Sequence, residues 1–170
     1  MSREVITKVN AGCRQLETAI LLYFNNGDDV AIHTLACNAR EIFERQCERR
    51  GKPRMFNRIS QNHSELASNK LWNVLNAARN FFKHLNPKED VDASIEFNPD
   101  DNKMTIYIAA HDCASLLGDA VPVTVKRYLL WISATEPGLV TGFTGPAGTI
   151  PGIHDWSDEK QHEFGRMYLC

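Results

Sequence analysis

Met104-Thr105-Ile106-Tyr107-Ile108-Ala109-Ala110-His111-Asp112-Cys113-Ala114-Ser115-Leu116-Leu117 is the stretch whose reading separates an all-α protein from a mixed one. Thr105 to Ile108 has the β-branched and aromatic make-up of a strand. Ala109 to Leu117 suits a helix, and the acidic pair Asp100-Asp101 stands just before the run, where negative charge favours a helix start. We read the whole stretch as helix.

Upstream the periodicity is plainer. Ile6, Val9, Cys13, Leu16, Ile20 and Phe24 recur at steps of three or four, one helical stripe over Ser2 to Phe24. Asn25-Asn26-Gly27-Asp28-Asp29 supplies a turn, with a helix-stopping glycine and aspartates able to cap the next N-terminus. A second stripe follows in Ile32, Leu35, Ala36, Ala39, Ile42, Phe43 and Cys47, and Gly51 and Pro53 end it. So short a connection makes these two helices antiparallel neighbours. A third helix is expected from about Ser64 to Leu85, where Leu71, Leu75, Ala78, Phe82 and Leu85 form a bundle seam and Asn86-Pro87 stops the run. Lys88 to Asn102 is polar apart from Ile95 and Phe97, a loop with room for a short strand.

Downstream, Pro122 suits the first turn of a helix running to about Thr135 with Val125, Leu129, Trp131 and Ile132. Residues 137–152 then hold five glycines and three prolines, too many for a regular element. Ser157-Asp158-Glu159 can cap a short terminal helix ending near Leu169. The expected architecture is all-α. An antiparallel bundle of five or six helices fills 1–136, and an irregular Gly/Pro-rich arm with a short terminal helix fills 137–170.

Composition fits that picture. The 170 residues suit one domain able to bury a core without staples. Hydrophobic content of 43% and charged content of 24% exclude disordered and fibrous classes. The longest apolar run, Ala19 to Phe24, is far short of the ~20 residues needed to span a bilayer. Arg3, Glu4, Lys8 and Arg14 leave no apolar stretch for a secretory signal, so a cytoplasmic protein with no membrane contact is expected. Cys13, Cys37, Cys47, Cys113 and Cys170 are widely and irregularly spaced, which argues for reduced structural thiols rather than a disulfide or zinc framework. A net charge of −2 leaves a local basic patch free to act.

The string richest in chemistry is Asn76-Ala77-Ala78-Arg79-Asn80-Phe81-Phe82-Lys83-His84-Leu85. Asn80 and His84 lie about 40° apart on a helix, whereas Arg79 and His84 lie about 140° apart. Arg79 therefore has to bend round, or two copies of the helix have to meet. Histidine titrates near neutrality and can take a proton from a ribose 2′-hydroxyl or return one to the departing 5′-oxygen. A guanidinium grips two phosphate oxygens, Lys83 adds charge, and Asn80 can orient either group. A plainer reading makes Asn73, Asn76, Asn80, Lys83 and His84 the outward polar face that any bundle helix needs.

Arg79-Asn80-x3-His84 resembles the Arg-x4-His signature of the HEPN superfamily, in which the residue after the arginine is commonly Asn, Asp or His. The resemblance implies a small α-helical bundle that dimerises and acts as a metal-independent ribonuclease. His84, Arg79 and Asn80 would be its catalytic residues, with RNA as substrate and no metal or other cofactor. Gly27 to Glu44 and Ala77 to Asn86 also resemble stretches of bacterial helical proteins to which we attach no activity.

A basic stretch points the same way. Arg45, Arg49, Arg50, Lys52, Arg54 and Arg58 fall within fifteen positions, opposed only by Glu44 and Glu48, and can contact phosphates independently of sequence. Cations also stabilise a helix C-terminus, so a solvated helix end explains them equally. His111-Asp112-Cys113 cannot form a triad among themselves, because adjacent helical residues diverge by about 100°. His33 reads as a packed histidine with one hydrogen-bond partner. His33, His84 and His111 lack metal-ligand spacing. Two other functions remain open on sequence alone: a non-catalytic helical module for dimerisation or binding a protein partner, and a nucleotide-binding regulatory domain.

Overall fold

The structure, a computed structural model, describes residues 3–62, 68–84, 92–137 and 152–169. Among these lie α1 (Lys8–Phe24), α2 (Asp29–Arg49), α3 (Met55–Asn62), α4 (Ser68–Lys83), α5 (Asp101–Leu117), α6 (Val123–Thr135) and α7 (Asp158–Leu169), with two 3-10 turns at Gly118–Ala120 and Ile153–Asp155. The described residues include no strand. The arm at 138–151 lies outside them, as does Leu85 of the expected seam.

The strand-like run is helical because α5 is the central helix. Six consecutive residues, Thr105 to Ala110, are buried, more than a full turn, so every side of the helix faces protein. A helix with no solvent face has no polar stripe to reveal its period, and β-branched residues are chosen there for packing. α2 packs along α5, with α1, α6 and α3 completing the enclosure. Fully buried Ala19, Ala36, Ala39, Ala109 and Ala110 on these helices are the small side chains that close helix approach requires.

Two polar pairs fix how α2 lies on α5. His33 Nδ1 is 3.1 Å from Asn102 Oδ1 near one end, and the Cys47 thiol donates to the Asp112 carbonyl at 3.3 Å near the other. Both residue numbers rise together, so α2 and α5 run in the same direction. That departs from a wholly antiparallel bundle. The long connection through α3 and α4 makes it feasible, because it carries the chain back to the end where α2 began.

The helix starts follow their caps. Thr7 Oγ1 accepts from the Asn10 amide, so α1 begins at Lys8 and not near Ser2, leaving Ile6 half-exposed before it. Asp28 caps α2 through the Ala31 amide at 2.8 Å. Expected from no local signal, α3 is capped from another helix. The fully buried Asp112 of α5 accepts from the Met55 amide at 2.7 Å.

The terminal helix α7 docks on α1 and α6. Trp131 Nε1 donates to the Gln161 carbonyl at 2.8 Å, and Gly165 lies against the buried Phe24 ring. A Cβ at Gly165 would stand 2.1 Å from Phe24 Cε1, inside any real contact. Gly165→Ala is therefore expected to destabilise by about 1–3 kcal/mol through overpacking, outweighing the roughly 1 kcal/mol that alanine gains in helix propensity. A urea midpoint unchanged or raised in the variant would contradict this contact.

Candidate functional site

α4 lies on α2 through charged and polar groups. The buried Arg40 of α2 donates to Asn76 Oδ1 at 2.5 Å, and Asn76 Nδ2 donates to the Trp72 carbonyl. Asn76 is thus turned inward, a correction to its place on the outward face. Arg40 needs an acceptor there, and a helical wheel cannot show that. One turn along α4, Arg79 donates to Glu41, which also pairs with Arg45 at 2.8 Å. Further on, Phe82 sits edge-to-face with His33 and Phe97.

His33 has two polar neighbours rather than one. Asn102 Oδ1 accepts from Nδ1, which leaves Nε2, 3.4 Å from Cys37 Sγ, to accept from the thiol. Asn102 is held in turn by donating to the Asp29 carbonyl at 3.2 Å. Burial pushes the His33 imidazole below its ordinary value. Arg40 adds to the shift, while Asn102 and Asp101 oppose it.

Asn73, Asn80, Lys83 and His84 are exposed, and the His84 amide donates to the Asn80 carbonyl at 3.0 Å, closing the last turn of α4. Between α1, α2 and α4 lies a cleft of about 430 Å³ lined by Lys8, Gln15, Asn38, Glu41, Gln46 and Lys83. Of the residues singled out from the sequence, Lys83 enters this lining and Arg79 reaches it through Glu41. Asn80 and His84 stand on the same helix end, outside the lining. Sequence reasoning missed Lys8, Gln15 and Glu41, which come from separate segments. The Glu41–Arg45 spacing of four was the one signal available.

The basic stretch is split. Arg54 pairs with Glu48 at 2.9 Å, reaches Glu44 at 4.0 Å and donates to Asn57, and Arg58 faces His111 Nε2 at 3.4 Å. These two arginines tie α3 to α2 and α5. Burial pushes the Glu44 carboxyl above its ordinary range, against the pull of Arg40 and Arg54. Arg49, Arg50 and Lys52 are exposed and form no ion pair with a described residue. They follow within two turns of Gln46, so they extend the cleft's basic surface past the end of α2.

A second cleft, of about 660 Å³, has the opposite charge. Asp29, Asp100, Glu136, Asp158 and Glu159 line it, and its Lys103 is tied to Glu136 over the Trp131 ring. Burial first, and then carboxylates led by Asp100 and Asp158, push the Tyr23 hydroxyl there up to about 12. A polyanion is repelled from that face.

His111-Asp112-Cys113 builds structure. Asp112 caps α3, His111 meets Arg58, and burial holds the Cys113 thiol far above the thiolate range. Among the described residues no group of three His, Cys, Asp or Glu can hold a metal ion, and no helix is long and apolar enough to cross a membrane. Comparison with protein-family models, curated proteins and solved structures finds no match.

Because the folded state disfavours protonated His33, the unfolded chain takes the proton first as pH falls below the ordinary value of 6.5. The stability His33 contributes is therefore complete above that pH and is lost below it. Urea midpoints of the wild type are expected to fall as pH drops through this window, with a slope that His33→Gln reduces. An NMR midpoint for His33 above 6.5 would refute the assignment.

Proposed function

We propose that the chain is an HEPN-like RNA-binding protein. In this reading the cleft between α1, α2 and α4 holds RNA phosphates, and His84 serves as acid and base in a metal-independent cleavage. One observation carries the reading. Lys83 meets Lys8 around a cleft whose one lining carboxylate among the described residues, Glu41, is already shared by Arg79 and Arg45. Such a cleft attracts anions, and its amides from Gln15, Asn38 and Gln46 can hydrogen-bond a sugar or base. Arg49, Arg50 and Lys52 lengthen the basic surface and add sequence-independent affinity.

The chemistry follows from the exposed end of α4. His84 takes the proton of a 2′-hydroxyl, the 2′-oxygen attacks phosphorus, and the 5′-oxygen leaves with a proton returned by the imidazole, giving a cyclic phosphate and a 5′-hydroxyl. Asn80, one turn before His84, orients the imidazole or the phosphate. Arg79 stabilises the negative charge that builds on the phosphoryl oxygens, assisted by Lys83. A second copy meeting the first at this end of α4 would bring Arg79 and His84 of different subunits to one phosphate, which removes the 140° separation along a single helix.

Anisotropy titrations with single-stranded RNA test the binding. Lys8→Ala with Lys83→Ala is expected to weaken affinity about tenfold at low salt and to lower the salt slope by about 1.4, two contacts' worth for single strands. Cleavage is measured in EDTA, where His84→Ala should abolish it while retaining binding, and light scattering reports the mass. No RNA binding by the wild type, or equal cleavage by His84→Ala, would overturn the reading.

A further inference from the structure

Glu41 lines the cleft, accepts from Arg79 of α4 and forms an ion pair with Arg45, one turn along α2. The Arg79 side chain is only 11% exposed, so its guanidinium is aimed at the protein side of the cleft and held there by Glu41. The carboxylate thus stands where an anionic ligand would be gripped. Lys8 and Lys83 line the same cleft, are exposed, and form no ion pair with a described residue. Two arginines therefore hold the carboxylate, and two lysines line the cleft with it.

We infer that the cleft selects a phosphate monoester, a terminal phosphate on an RNA end or on a free mononucleotide, over the internal phosphodiester of a strand. The inference rests on the phosphate-binding reading above and narrows its ligand. A diester carries one negative charge, the same as the carboxylate it must displace from the arginines. Exchanging one for the other gains little, and it leaves Glu41 as an unpaired like charge beside the newcomer. A monoester carries about −1.5 to −2 charges at pH 7 and three terminal oxygens. It can satisfy the planar fork of Arg79 and still present charge and an oxygen to Lys8 and Lys83. Glu41 in this scheme is a built-in competitor that sets a threshold only the more highly charged ligand passes. The cleft volume of about 430 Å³ is within the range of small-ligand cavities, enough for a nucleotide end. Gln15, whose Oε1 is enclosed without a hydrogen-bond partner, is an acceptor that a small side-chain rotation offers to a sugar hydroxyl or base amino group.

The test compares internally labelled 2′-O-methyl RNA, which cannot be cleaved, carrying a 5′-phosphate, a 3′-phosphate or hydroxyls at both ends, with adenosine monophosphate as a separate ligand. A phosphorylated strand is expected to bind the wild type at least about tenfold tighter than the hydroxyl strand at pH 7, the preference shrinking as the monoester dianion takes up a proton near pH 6. Glu41→Gln should raise affinity for the hydroxyl strand and narrow the ratio, and Lys83→Ala should weaken the phosphorylated strands more than the hydroxyl strand. Equal binding of all strands to the wild type overturns this inference and leaves RNA binding intact. Stabilisation by the mononucleotide with no binding of any strand supports the inference and overturns the RNA reading. No response to any of these ligands overturns both. The wild-type comparison stands even where a variant fails to fold.

Discussion

Burial of α5 on every side is the constraint that the remaining helices satisfy. A helix enclosed over more than a full turn needs neighbours on all faces, and α1, α2, α3 and α6 supply them. Its polar groups must also be answered within the protein. Asn102 answers to His33 and Asp29, Asp112 to the Met55 amide, and the Asp112 carbonyl to Cys47. An unanswered polar group at such depth costs roughly 1–3 kcal/mol, so these bonds do more to reject other registers than to add net stability. They also set the direction of α2 along α5, and through α2 the position of everything laid on it.

α4 is laid on α2 by a different kind of contact. Arg40 with Asn76 and Glu41 with Arg79 join the two helices beside the apolar contacts of Leu75 and Phe82. Burying a guanidinium is expensive, and its attraction to a partner rarely does more than offset that expense. What such a layer supplies is register, because sliding α4 by one turn would part Arg40 from Asn76 and Arg79 from Glu41 together. The same register places Lys83 at the cleft beside Lys8. The geometry of the proposed site is thus a by-product of how α4 is docked.

Much of this was legible in the sequence, for reasons that differ by element. α1, α2 and α6 have one wet face and one dry face, so Leu16, Ile20, Phe43, Val125 and Ile132 declare the period and are all buried. α5 lacks a wet face and could be assigned only from its alanines and leading acids. α3 was invisible because its cap, Asp112, is 57 residues away in the chain. The site was half legible. Arg79, Asn80, Lys83 and His84 stand together in one string, but Lys8, Gln15 and Glu41 join them only through packing. The basic stretch misled in part. Arg54 and Arg58 carry the same charge as Arg49 and Arg50, yet carboxylates and an imidazole from α2 and α5 reach only the former pair.

The near-neutral total conceals a separation of charge along the α1–α2 hairpin. Lys8 begins α1 and Tyr23 lies near its end, about 22 Å further along the axis. The basic cleft takes Lys8 and, across from it, Gln46 of α2, with Arg49, Arg50 and Lys52 beyond. The acidic cleft takes Tyr23 and Asp29, at the turn that joins the two helices. Each cleft is therefore anchored to one end of the same pair of rods. A net charge of −2 is what remains when two such regions nearly cancel. At a Debye length of about 8 Å under physiological salt, an approaching polyanion senses the nearer end and not the sum. It is drawn to the open end of the hairpin and turned away from the closed one. Orientation on approach is thus decided by where the helices begin and end, before any individual contact forms.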